Sequence, residues 1–357
     1  MPLYLDANAS EPLRPEARLA AMDALDLLGN PSSVHAEGRA ARRVLETARA
    51  RMARRFGARP QDVVFCAGGT EADALAIHGL STGRRVLVGA TEHPAVLRAA
   101  PLAERLPVDG HGLLLLEALE AALAHGAPAL VCAMLANNET GVIHPIAEIA
   151  AICRHHGALL HVDAAQAAGR IPVSLAALGA DSLAVSGHKL GGPKGAGALL
   201  LRPGLMLEPL MAGGGQERGR RGGTEALPAL AGMGAAAEAA DPGQAGRLGI
   251  IRDRIEALAG ARVVGGEAAR LPNTTNLVLP GMMAEAQVIA LDLDGVRVSA
   301  GSACSSGKVA RSHVLDAMGL GEAAGHAIRV SLPWNVTDDA ADRFAEAYAK
   351  LGARIPT

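Results

Sequence analysis

The stretch ALVCAMLANNETGVIHPIAEIAAICRHHGALLHVDAAQ (129–166) decides the fold. Its two apolar runs, ALVCAML (129–135) and ALLHV (158–162), have the length and unbroken apolar character of strands buried on both faces. Between them Ile146, Ile149, Ala150 and Cys153 fall at i, i+3, i+4 and i+7, which predicts a helix over 145–156. Pro145 suits its first turn, and Gly157 ends it. Working outward, DVVFC (62–66), RVLVG (85–89) and SLAVS (182–186) repeat the strand texture, with helical stretches between them. This alternation predicts an α/β fold, a large domain with a mostly parallel sheet and helices on both faces. After about residue 240 the texture changes. DPGQAG (241–246) breaks the pattern. A helix (247–259), strand-like RVVGG and TTNLVLP, a helix (284–293) and VRVSA then predict a smaller α+β domain.

The bulk properties narrow the function. Half of the 357 residues are hydrophobic, enough for a substantial core. There are only three Phe, two Tyr and one Trp, few rings for stacking bases, and the net charge is −2. Neither nucleic acid nor an anionic membrane is an expected partner. No apolar run reaches the roughly 18 residues of a membrane span. MPLYLDANAS (1–10) lacks the basic-then-apolar layout of a secretion signal. The four cysteines, Cys66, Cys132, Cys153 and Cys304, contain no CxxC pair. A soluble, reducing, cytoplasmic setting is the expectation.

Ligands of open α/β sheets bind beyond the carboxyl ends of the strands. Five polar signatures sit at such ends: GGTEA (68–72), TEH (91–93), NNETG (137–141), DAAQ (163–166) and GHK (187–189). GGT opening a helix is either a phosphate cradle, with Thr70 as a donor, or an ordinary capped helix start. Asp163 either caps the next helix or pairs with a protonated ring nitrogen, with Gln166 reaching the same region. Only four of the 34 basic residues are lysines. Lys189, directly after a strand, is poorly placed for a solvated role, and desolvation would make it nucleophilic. Lys194, in GGPKGAG, reads more as part of a turn. Cys132 and Cys153 lie in apolar patterns and suit the core; Cys66 is open to either role. Cys304, in GSACSSG, has only small neighbours, as an exposed thiol or a passive loop cysteine would. Arg329, in IRVS, is a candidate carboxylate clamp or a surface ion pair. No His/Cys set has zinc-like spacing, so no metal is expected.

Taken together, YLDANAS (4–10), NPSSVHAEGR (30–39), GGTEA, TEH, NNETG, HVDAAQ, SGHK, RRGGTE (220–225), SACSSGK (302–308) and IRVS resemble the cysteine desulfurases. These are fold-type-I pyridoxal-phosphate enzymes of the class V aminotransferase group. The segments span nearly the whole chain in order. The Cys304 loop resembles the longer-loop subgroup that serves nitrogen fixation and iron–sulfur assembly. The resemblance implies a cofactor-binding domain over 15–245, and a small domain of 1–14 and 246–357 carrying the Cys304 loop. It implies pyridoxal 5'-phosphate attached to Lys189, with Asp163 on the pyridine nitrogen and Gln166 on the ring phenolate oxygen. His93 would stack on the ring and shuttle protons. Gly69, Thr70, Ser186 and His188 would bind the phosphate, with Thr224 contributed across a homodimer. Asn138 and Arg329 would hold the substrate carboxylate, Asn138 also lying against the cofactor.

The implied reaction converts L-cysteine to L-alanine. Sulfur leaves as a persulfide on Cys304 for an acceptor or iron–sulfur scaffold protein. A selenocysteine lyase, a related aminotransferase and, more remotely, a non-catalytic assembly scaffold are the alternatives. Cys304 argues against the aminotransferase, and intact Lys189, Asp163 and His93 argue against the scaffold. Two positions depart from the family pattern: Asp73 stands where the family usually has Asn, and SLPWNV (331–336) replaces a glycine-containing continuation.

Overall fold

The computed structural model describes residues 2–301 and 311–352. A seven-stranded sheet organises the larger part. Its strands are β2 (Val63–Cys66), β3 (Arg85–Gly89), β4 (Glu104–Leu106), β5 (Ala129–Met134), β6 (Leu159–Asp163), β7 (Ser182–Ser186) and β8 (Gly197–Leu201), in the order β2-β8-β7-β6-β5-β3-β4. Neighbours from β7 to β4 pair parallel. β8 is antiparallel to both β7 and β2, so β2 runs in the same direction as the parallel strands. The five expected strands all form, within a residue or so of their expected ends. β4 and β8 are additions that the sequence did not signal.

The strands are apolar throughout because both faces are covered. Val131 and Ala133 of β5 join one core cluster, while Leu130 and Cys132 join another on the opposite face. Burying each such Leu or Val stabilises by roughly 2 kcal/mol. The covering helices are α1 (Pro15–Leu25), α2 (Ala36–Phe56), α3 (Gly69–Leu80), α4 (Pro94–Ala99), α5 (Leu116–Leu123), α6 (Ile146–His155), α7 (Leu175–Leu178) and α8 (Leu227–Ala239). In α6 the buried residues are Ile146, Ile149, Ala150 and Cys153, the stripe expected from the spacing. Pro145 takes the capping position just outside the helix, and Gly157 adopts a positive φ of 65° beyond it.

The smaller part contains α9 (Ala245–Ala259), β9 (Arg262–Val263), β10 (Thr274–Val278), α10 (Ala284–Leu293), β11 (Val296–Arg297), β12 (Ser299–Ala300), α11 (His313–Ala317), β13 (Ala327–Ser331) and α12 (Ala340–Gly352). β12-β13-β10-β9 form an antiparallel sheet. β1 (Leu3–Tyr4) pairs with β11, and Leu3 and Leu5 enter the same core as Leu248, Ile255 and Phe344. The chain's first residues therefore pack with its last third. From there residues 6–14 run as a strap to the large sheet: the Glu11 amide donates to His188 O at 3.0 Å, and the Arg14 amide to Gly191 O at 2.8 Å.

Candidate functional site

All five polar signatures end up at one edge of the large sheet, because β2, β3, β5, β6 and β7 point the same way. The contact at Gly69 shows how tightly they converge. A Cβ added there would stand 3.3 Å from Ser186 Cβ and 3.9 Å from Ala165 Cβ, so GGT, DAAQ and SGHK share one spot. No side chain caps α3 at Gly68, and Thr70 is exposed in its first turn. Of the two readings of GGT, the side-chain-capped one is absent. The first turn's amides, Thr70 and Ser186 make an anion-compatible donor set.

Asp163 closes β6 and is buried. Its Oδ1 accepts from the Ala165 amide at 2.8 Å, yet among the described residues it forms no ion pair. Burial pushes this carboxyl up to about 6; Asp73 adds to the shift, while the Ala165 amide, His93 and His161 oppose it. A buried carboxylate without a cation suits a positively charged ligand atom. His93 begins α4, and its Nδ1 accepts from the Ala95 amide at 3.1 Å. The neutral ring therefore carries its proton on Nε2. Burial lowers the His93 pKa, against the pull of Asp163.

Lys189 ends a 3-10 turn directly after β7. Its Nζ donates to the carbonyl oxygens of Asn8 and Ala9, the latter at 3.0 Å. Lys194 is exposed in the turn before β8, as expected of a turn residue. Gln166 Nε2 donates to Asn8 O at 3.1 Å, and its Oε1 accepts from Arg170. His188 turns toward the strap, with Nδ1 3.3 Å from Ser10 Oγ, and burial lowers its pKa to about 4.

Arg329 lies on β13 and is 5% exposed, so it is not a surface ion pair. One Nη donates to Asn138 O at 3.2 Å and the other to Asp6 Oδ1 at 2.6 Å, while its Nε has no partner. Asn138 and Arg329 are thus brought together, with the Asp6 carboxylate already on the fork. Thr224 is exposed and shares a cleft with Phe65, Cys66, Gly195 and Arg221, beside the α3 start. Arg221 joins this segment to α3 through Glu71 at 2.7 Å.

Cys304 lies outside the described residues, but both flanks of its segment meet at one side chain. Ser312 Oγ donates to Glu139 Oε2 at 2.5 Å, and a Cβ added at Gly301 would stand 2.4 Å from the same oxygen. His313 Nε2 lies 2.9 Å from Glu92 O. The flanks are therefore anchored on NNETG and TEH. Cys66, open to either role in the sequence, is buried; desolvation pushes its thiol up to about 12, which leaves it protonated and unreactive. Cys132 and Cys153 are buried in the core as expected.

Asp6 and Asn8 lie within YLDANAS and Glu139 within NNETG, and their partners come only with the fold. Asn8 is a hub. It is 1% exposed, its Nδ2 donates to Asn138 O and Thr274 Oγ1, each at 3.0 Å, and its carbonyl receives Gln166 and Lys189. Folding also assembles one group that spacing hid. Donor atoms of Glu120, His155 and His156 lie within 4.8 Å of one another, with both Glu120 and His155 exposed.

The Aminotransferase class-V family profile matches residues 3–344. A cysteine desulfurase of Cereibacter sphaeroides is 42% identical, with 98% of this chain and 95% of that protein covered. The X-ray structure of a NifS-like protein from Rickettsia africae ESF-5 superposes with a TM-score of 0.91 at 34% identity, covering 99% of this chain and 100% of that one. A structure described as SspA in complex with cysteine superposes with a TM-score of 0.83 at 31% identity, covering 93% of this chain and 99% of that one.

Proposed function

The chain belongs to the aminotransferase class-V family, among its cysteine desulfurases, and on that premise we propose that it converts L-cysteine to L-alanine and passes the sulfur on through Cys304. The observation that carries this reading is the placement of Asp163, a buried carboxylate without an ion pair among the described residues, at the same strand edge as Lys189 and His93.

The donor set fits pyridoxal 5'-phosphate. The amides of Gly69 and Thr70, the Thr70 hydroxyl and Ser186 would hold the phosphate, with His188 and, from a second subunit, Thr224 adding to it. Asp163 would keep the pyridine nitrogen protonated, Gln166 would donate to the ring oxygen, and Asn138 would line the site. Lys189 would bind the cofactor covalently. When bound, the cofactor supplies an electron sink for the electron pair released at the substrate α-carbon.

The chain's own residues then divide the remaining work. Arg329 binds the substrate carboxylate with its planar fork, and Asp6 yields its place on that fork to the substrate. Asn138, held against Arg329 through its carbonyl, lines the same subsite. Once substrate has displaced it, Lys189 Nζ takes the α-proton. His93 carries a proton on Nε2 and moves it within the site. The Cys304 thiolate attacks the substrate sulfur. The carbon–sulfur bond breaks, a sulfur–sulfur bond forms, and the carbon is reprotonated to give alanine.

We further propose a homodimer. Leu19, Met22, Leu25, Leu28 and Val34, on and after α1, expose an apolar face that suits a second copy. We take 15–245 as the cofactor domain and 1–14 with 246–357 as the small domain. The separate core shared by Leu3, Leu5 and Phe344 supports that division. We place the protein in the cytoplasm, with a sulfur-acceptor or iron–sulfur scaffold protein as its partner. No helix of the described residues is long and apolar enough to cross a membrane.

Mass spectrometry of the cofactor-loaded protein after exposure to cysteine tests the assignment. One added sulfur, about 32 Da, is expected on Cys304 and not on Cys66, together with one alanine per sulfur. Absence of alanine would overturn the desulfurase reading. Alanine formed without an adduct on Cys304 would overturn only the carrier role.

A further inference from the structure

A second, wholly buried polar chain lies behind the site. Asp73 on α3 is 2% exposed, and His161 on β6 and Ser182 on β7 are each 0% exposed. Asp73 Oδ1 stands 3.2 Å from His161 Nε2, and His161 Nδ1 stands 2.9 Å from Ser182 Oγ. Side chains alternate along a strand, so His161 and Asp163 project to the same face of β6. Among the described residues His161 is the sole ion-pair contact of Asp73. An acid thus stands in contact with the strand that presents Asp163.

We propose that Asp73, acting through His161, is a positioning residue whose own proton sets how firmly Asp163 holds a proton on the pyridine nitrogen. The inference rests on the role given to Asp163 above.

The hydrogen-bond geometry defines the two states. Burial pushes Asp73 up to about 8 and His161 down to about 4, so near neutrality both are uncharged. The Asp73 carboxyl then donates to His161 Nε2, and His161 Nδ1–H donates to Ser182 Oγ. When Asp73 gives its proton to solvent at higher pH, the direction reverses. His161 turns Nε2–H toward the carboxylate, and Nδ1 accepts from the Ser182 hydroxyl. One proton leaves, and one negative charge is added beside Asp163.

Burial shifts each of the other titratable groups facing this spot toward its neutral form. Desolvation raises the Cys66 thiol at the end of β2 and the Cys132 thiol on β5. Glu92, after β3, is also pushed well above the carboxylate range by burial, and its Oε1 accepts from the Met134 amide at 2.7 Å. His93, starting α4, is lowered by burial. Asp73 is the acid in contact with His161, and its charge adds to the upward shift of Asp163.

Two measurements test the proposal. In the cofactor-free protein, nitrogen NMR of ¹⁵N-labelled histidine should show His161 protonated on Nδ1 at pH 6.5, with a tautomer change centred near 8. Asp73→Asn, which keeps a donor toward Nε2 but cannot ionise, should hold the Nδ1–H form throughout. A single His161 tautomer from pH 6 to 9.5 in the unmodified protein would overturn the proposal, as would a transition that survives in Asp73→Asn. In the loaded protein, with the cofactor ¹⁵N-labelled at the ring, Asp73→Asn should release the ring proton at a pH lower by about one unit. That is the scale of one buried charge at second-neighbour distance in an effective dielectric of about 20. An unchanged ring titration would overturn the coupling. A ring that stays protonated in Asp163→Ala would instead overturn the role of Asp163.

Discussion

Asp73→Asn should change how the stability of the cofactor-free protein depends on pH. The carboxyl is fully buried, and desolvation alone lifts it from 3.8 to about 8. Below pH 3.8 both folded and unfolded chains bind the proton, and the whole of this contribution to stability is present. Between about 4 and 8 the unfolded chain has released the proton and the folded chain has not. Stability therefore falls as pH rises, by about 1.4 kcal/mol per pH unit. Above 8 both states are ionised and the loss is complete. From pH 5 to 8 the wild type should lose about 4 kcal/mol that Asp73→Asn keeps. With an unfolding entropy of about 2.1 cal/mol/K per residue over 357 residues, this is a Tm difference of about 5 °C between the two slopes. Thermal unfolding of both proteins at pH 5, 6.5 and 8 measures it. Parallel loss of stability in the two proteins would show that Asp73 is not held neutral, and would refute the reasoning.

Other perturbations test the rest of the site. Glu217 is 4% exposed and accepts from both Nη groups of Arg49, at 2.7 and 2.8 Å, together with the Phe65 amide at 2.8 Å. Glu217→Gln takes the buried carboxylate from Arg49, leaving that guanidinium only the half-exposed Glu46 carboxylate at 3.1 Å, and should cost about 3 kcal/mol in chemical denaturation. Lys189→Ala should abolish the visible absorption of the bound cofactor while leaving the far-ultraviolet spectrum of the fold unchanged. Cys304→Ala should keep the absorption and lose sulfide release; normal turnover would refute its carrier role. Arg329→Lys removes the fork that reaches Asn138 and Asp6. It should raise KM for cysteine at least about tenfold with kcat changed far less, and a change confined to kcat would place Arg329 outside carboxylate binding.

The sheet, its direction and the edge that carries the site were legible in the sequence because they follow from local periodicity. Unbroken apolar runs mark strands buried on both faces, and polar residues directly after them fall at the edge where the chain leaves the sheet. Lys189 and Asp163 were singled out this way, each within a few residues of its strand, while His93 fell in such a signature and drew its role from the family resemblance. β4 escaped because it is three residues long and its first two, Glu104 and Arg105, are exposed. β8 escaped because its apolar run follows the glycine-rich GGPKGAG turn. What the tertiary structure decided are the contacts between distant segments. Asn8 meets Asn138, Gln166, Lys189 and Thr274. Glu139 meets both flanks of the Cys304 segment. Arg329, undecided between clamp and surface pair, is buried against Asp6 across 323 residues of chain. Asp73, noted in the sequence only as a departure, meets His161 across 88. Periodicity reports which face a side chain takes on its own element. It carries no information about which remote element comes to that face, and desolvation there is what converts an ordinary carboxyl into one that keeps its proton.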